Sequence, residues 1–246
     1  MGKSMRNYSG EAKMSLEKVG AVVRKAIYLS GIAPSYRIDF VNRLFELGRW
    51  IKEHGNNAPS FKTTYDFYKH INDSVLGDRP IDFLEFGVYK GDSLRKWTQI
   101  NSAPESRFFG FDSFTGLPED WKHPVGKSPR GTFDVKGILP DIKDNRVRFI
   151  KGNFQDTLPG FLTEQKFSGR KVVIHCDADL YSSTLYVLAT LHPLIVSGTV
   201  IIFDEFNSVT DEFRAFSDYV SSFQRQFKLL ASAEPFFTRA AIDIVT

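Results

Sequence analysis

Two short apolar runs, Val172–Cys176 and Val200–Phe203, each end in a pair of carboxylates: Asp177 and Asp179 after the first, Asp204 and Glu205 after the second. If the runs are adjacent strands, the four acids meet at one rim, and like charges so placed repel unless something positive compensates them. One answer is a hard divalent cation with oxygen ligands, Mg²⁺ or similar, which would polarise a substrate hydroxyl for deprotonation. The other is that two of the four face a cleft while two cap helices or meet lysine and arginine. The cation is the favoured reading, because no lysine or arginine adjoins the four in sequence. If the rim acts instead as a bare general base, Asp204 is the first candidate and Asp179 the second. His175 lies inside the first run and reads as a satisfied core histidine, with Cys176 beside it buried and inert. His123 is better placed for acid–base work, although an exposed loop histidine is the simpler reading.

A second constellation precedes these. In Ile81–Ser93, IDFLEFGVYKGDS, an apolar run ends in Glu85 and enters a turn bearing Gly87, Val88, Tyr89 and Gly91. Glycine permits the tight bend and leaves room for a ligand, and Ser93 is suited to cap the helix that carries Leu94 and Trp97. Such a turn cradles a nucleotide-like cofactor. The spacing is neither the dinucleotide Gly-x-Gly-x-x-Gly nor a P-loop, so phosphate binding is disfavoured; an ordinary strand-to-helix turn is the alternative. The next apolar run ends in Asp112 and Ser113, and a carboxylate there accepts hydrogen bonds from both hydroxyls of a ribose. Gly152 and Asn153 follow the third run. Any one acid could merely cap a helix, but acids after four strands of five make that account poor for the set.

The elements that must position these groups are legible as rhythm. Five runs rich in Val, Ile or Phe, at Phe83–Phe86, Arg107–Phe111, Val147–Ile150, Val172–Cys176 and Val200–Phe203, alternate with helical segments and imply a parallel sheet wound on both faces. Two more, Phe227–Ala231 and Ala240–Val245, fit a closing antiparallel pair, making seven strands. Upstream, helical spacing recurs over Leu16–Leu29, Tyr36–Lys52 and Thr63–Leu76, and this third of the chain reads as scaffold. Leu117–Asp144 is a long irregular loop of the kind more often functional than idle. With 246 residues, 42% hydrophobic and 25% charged, the chain supports one large core. A net charge of +3 without a basic block does not imply nucleic acid. No apolar run approaches the roughly 20 residues of a membrane span, and one cysteine excludes an internal disulfide. With no signal-peptide core at the N-terminus, the expectation is a cytoplasmic protein with no membrane partner and room for a homo-oligomer.

The segments LEFGVYKGDS, FFGFDSFTGLPEDW, KGNFQDTLP, HCDADLYSST and GTVIIFDEF, in this order, resemble the class I S-adenosylmethionine-dependent methyltransferases, and more narrowly the macrocin O-methyltransferase-like family. The resemblance covers Arg79 to the C-terminus and implies an α/β, Rossmann-like, doubly wound, mostly parallel seven-stranded sheet. Residues 1–78 would be a helical addition packed on the core, and residues 79–246 the cofactor-binding domain. It further implies that Glu85, Gly87 and Gly91 hold the methionine end of S-adenosylmethionine, with Val88, Tyr89 and Ser93 in the same turn. Asp112 with Ser113 would take the ribose, Asn153 and Phe154 the surroundings of the adenine, and Asp177 would stand near the sulfonium. Family members methylate hydroxyls of sugars on natural products with a divalent metal, whose ligands here would be Asp177, Asp204 and Glu205. The commoner pair after the fifth strand is Asp-Asp, and this chain carries Asp-Glu. The expected partner is a small-molecule acceptor.

Overall fold

The apolar runs become strands, and their composition follows from burial on both faces. A computed structural model describes Val22, Lys25 and residues 36–123, 126–167 and 169–246. The helix expected over Leu16–Leu29 lies, apart from helical Val22 and Lys25, outside the described residues. All six residues of β2 (Ile81–Phe86) and all four of β8 (Val200–Phe203) are buried. Between them runs β7 (Lys171–Cys176), and beyond β2 come β3 (Arg107–Asp112) and β6 (Val147–Lys151), all parallel.

The expected closing pair is present as β9 (Phe227–Ala233) and β10 (Arg239–Ile244). β10 inserts between β8 and β9 and runs antiparallel to both. The order is β1-β9-β10-β8-β7-β2-β3-β6, which is one strand more than the seven expected. The eighth, β1 (Ser60–Phe61), pairs parallel with the outer edge of β9 and is too short to show any alternation.

Helices cover both faces. One carries α1 (Tyr36–His54), α4 (Phe154–Glu164), α5 (Tyr181–Thr190) and α6 (Glu212–Ser222), whose Leu47, Trp50, Phe161, Val187 and Phe216 pack with Leu84, Phe86, Ile174 and Phe203. The other face holds α2 (Thr64–His70) and α3 (Asp92–Ile100), with Tyr68 and Trp97 against Phe83, Val173 and Ile202. The expected helix Thr63–Leu76 is α2 followed by a π-helical turn, Ile71–Leu76, that stops at left-handed Gly77. Thr63 caps α2 by accepting from the Asp66 amide. Phe40–Thr246 forms one compact unit, within which α2 and β1 pack with the sheet. Among the described residues no helix is long and apolar enough to cross a membrane.

The loop between β3 and β6 is more ordered than its composition suggested. It contains a hairpin, β4 (Trp121–His123) against β5 (Gly126–Ser128). The Trp121 indole N–H donates to Asp211 at 3.2 Å, and Ser182 donates to Glu119, tying the loop to the far side of the sheet's carboxyl end.

Candidate active site

Side chains alternate along a strand, so the register decides which polar groups meet. The carboxyl ends of the central strands are level: the Gly87 amide donates to the Phe111 carbonyl, that of Asp177 to Phe86, and that of Asp204 to Cys176. A cavity opens above them. Of the residues expected to hold the cofactor, Gly87, Tyr89, Asp112, Ser113, Asn153, Phe154 and Asp177 line it.

Four others stand behind the wall. Val88 donates its amide to Asp112 at 2.8 Å. Gly91, at φ +77°, occupies the cap position of α3 and packs against Pro140. Ser93 is therefore not the cap; its hydroxyl donates to Glu85 at 2.6 Å. Glu85 itself is fully buried and does not reach the cavity wall. It lies beneath the glycine turn, joined to it through Ser93.

Gly87 is required where it stands. Its φ is +96°, and a Cβ there would lie 1.7 Å from the Asp177 carbonyl oxygen. The neighbouring Tyr89, at φ +50°, and Asp179, at φ +60°, hold left-handed conformations on the cavity wall, a strain typical of functional sites. Asp112 organises the turn by accepting from the amides of Val88, Tyr89 and Phe114 at 2.8, 2.8 and 2.6 Å. A carboxylate has about four acceptor positions, so one remains for a ribose hydroxyl. Asp112→Ala should weaken binding of S-adenosylhomocysteine by about 1.5–3 kcal/mol or more, the range for a hydrogen bond to a charged group. Calorimetry reads this, and an unchanged affinity would leave Asp112 as a brace for the turn alone.

The acidic rim is real but divided. Arg239 grips Asp204 through both oxygens, at 2.5 and 2.8 Å. Burial pushes the Asp204 carboxyl up, but bonds and charge from His175 and Arg239 outweigh it and hold the group at about 2. So acidic a carboxylate is a weak proton acceptor, which argues against the first candidate base.

Asp179 and Glu205 line the cavity, and among the described residues no lysine or arginine is hydrogen-bonded to either carboxylate. Burial first, then the charges of Glu205 and Asp204, push Asp179 up to about 8. Burial and then Asp204 push Glu205 up to about 7. Asp177 is also raised, by burial and then by Asp204.

Of the three ligands expected for a divalent cation, Asp177 and Asp204 come together. Among the described residues, the potential ligand atoms gathered within 4.8 Å of one another belong to His175, Asp177 and Asp204, without Glu205. A dication at Asp204 would also meet the Arg239 guanidinium, which already supplies the compensating charge. His123 is hydrogen-bonded to Ser128 inside the hairpin and is not on the cavity wall. Sequence reasoning did not assign Gly116, Leu117, Pro118 or Phe133, which line the cavity from the long loop. Their signal was available: the first three lie in the quoted segment FFGFDSFTGLPEDW.

Comparisons with known proteins find similar sequences and a similar fold. The family model described as macrocin O-methyltransferase (TylF) matches residues 65–229, beginning upstream of the segments quoted above, within α2. An 8-demethyl-8-(2,3-dimethoxy-alpha-L-rhamnosyl)-tetracenomycin-C 4'-O-methyltransferase from Streptomyces olivaceus is 32% identical over 57% of this chain and 59% of its own length. The alignment thus spans less than two thirds of that relative. A demethyldecarbamoylnovobiocin O-methyltransferase from Streptomyces niveus is 25% identical, covering 74% of this chain and 79% of its own. The solved structure of the O-methyltransferase NovP superposes with a TM-score of 0.57 at 21% identity, over 74% of this chain and 79% of that one, which shows a shared fold.

Proposed function

Because the chain belongs to the macrocin O-methyltransferase (TylF) family, we propose that it transfers a methyl group from S-adenosylmethionine to a hydroxyl of a sugar carried on a small natural product, in the cytoplasm. One observation carries the reading: a single cavity joins the Gly87 turn and Asp112, suited to the cofactor, to Asp179, a carboxylate with no cationic partner among the described residues. The tetracenomycin relative is named for methylating a rhamnosyl group, which supports a sugar acceptor.

In this reading Asp112 holds the ribose, while Asn153 and Phe154 flank the adenine. Asp177, set beside the Gly87 turn, lies near the sulfonium. Displacement is direct and in line, so the protein's share is to set the acceptor oxygen against the methyl carbon and to receive its proton. Asp179 is the base: on the cavity wall, with a proton affinity near neutrality, it matches the pKa that general-base catalysis favours. Asp204, locked by Arg239, orients the rim instead.

The test is incubation with methyl-labelled S-adenosylmethionine and a panel of rhamnosyl glycosides, amino sugars and phenols, with and without EDTA. Label on a sugar oxygen in both conditions is the expected result. Label only on phenols or nitrogen would overturn the acceptor class. Loss of turnover in EDTA, restored by Mg²⁺, would return Asp177, Asp204 and Glu205 to the role of ligands.

A further inference from the structure

Beneath the cavity floor, strand alternation places Glu85 of β2, His175 of β7 and Asp204 after β8 on one face, with Glu85 and His175 opposite each other in register. The His175 Nδ1 and Glu85 Oε2 atoms, both buried and, among the described residues, otherwise without hydrogen-bond partners, face each other at 3.5 Å. On its other side His175 Nε2 lies 3.7 Å from Asp204 and 3.2 Å from the Tyr68 hydroxyl, which donates to Asp204 at 3.3 Å. Arg239 closes the far end on Asp204. Burial lowers the proton affinity of His175, but the two carboxylates reverse this and push it up to about 10, consistent with an ion between them. Neither Glu85 nor Asp204 reaches the cavity wall. Yet Glu85, through Ser93, underlies the glycine turn, and Asp204 adjoins Glu205 at the acceptor rim.

Resting on the reading of the cavity as a methyltransferase site, we propose that His175 is a positioning residue, the link in a buried chain Glu85–His175–Asp204–Arg239 that couples the cofactor turn to the acceptor rim, with Tyr68 of α2 as its brace. A buried polar chain whose members orient one another transmits a change at one end to the other, and a double-mutant cycle measures that transmission.

The test needs no acceptor. Calorimetry of S-adenosylhomocysteine is performed on the wild type, Asp204→Asn, His175→Gln and the double variant. Asp204→Asn should weaken binding about fivefold although it does not touch the ligand, and should add nothing in the His175→Gln background, a coupling within the range for contacting residues. Equal effects of Asp204→Asn in both backgrounds, or no effect in either, would overturn the proposal. If His175→Gln does not fold, Tyr68→Phe decides alone. It keeps the ring packing and removes only the hydroxyl, so binding should weaken about threefold, and wild-type affinity would contradict the link. A wild type that does not bind S-adenosylhomocysteine at all would overturn the methyltransferase reading instead.

Discussion

Asp179→Asn should lower the rate of methyl transfer by a factor of about 10²–10⁴, the usual contribution of a positioned base, and leave the affinity for S-adenosylhomocysteine close to that of the wild type. The asparagine keeps the size and the left-handed backbone that Asp179 adopts at φ +60°, a conformation asparagine tolerates. What it loses is the ability to take a proton. The wild-type rate should also rise with pH as Asp179 ionises around 8, since only the ionised form accepts the acceptor's proton and its folded-state pKa is raised. The variant should lack that limb of the profile. A variant with wild-type turnover would move the base to Glu205, the other raised carboxylate on the wall.

Gly87→Ala should destabilise the fold by more than about 4 kcal/mol, or abolish binding of S-adenosylhomocysteine in whatever protein survives. The new Cβ would sit 1.7 Å from the Asp177 carbonyl oxygen and 2.6 Å from its carbon. Both are backbone atoms, so no side-chain rotation relieves the clash, and φ +96° strains an L-residue even in open space. Moving Asp177 would displace the fourth strand end from the cavity. Gly160→Ala is the control: in α4, with nothing within 4 Å of its Cβ, it should stabilise by about 0.5–1 kcal/mol. Denaturant unfolding followed by calorimetry separates the two variants. A Gly87→Ala protein as stable as the wild type would show that the turn is not built on this close approach.

The central sheet was legible because its strands are buried on both faces. Phe83, Leu84 and Phe86, or Ile201, Ile202 and Phe203, can only be continuous apolar runs. Acids at the strand ends were legible for a similar reason, since they interrupt those runs abruptly. The partner of Asp204 was not. Arg239 lies 35 residues away and meets it only because β10 runs antiparallel to β8, with Ala240 opposite Phe203. Spacing along the chain says nothing of that register, so the sequence shows four carboxylates and not the guanidinium that meets one of them. The Trp121–Asp211 bond, across 90 residues, was hidden in the same way, so the loop read as irregular. Glu85 was read as a cofactor ligand and Ser93 as a helix cap, and their mutual hydrogen bond behind the wall depends on the turn of α3.

The central claim is that the cavity above Gly87 and Asp112 is a site for S-adenosylmethionine, and calorimetric titration of the purified chain tests it most directly. The account predicts saturable binding of S-adenosylhomocysteine, one per chain, weakened by Asp112→Ala, with NAD showing no binding at the same concentrations. Tighter binding of NAD than of S-adenosylhomocysteine would contradict it.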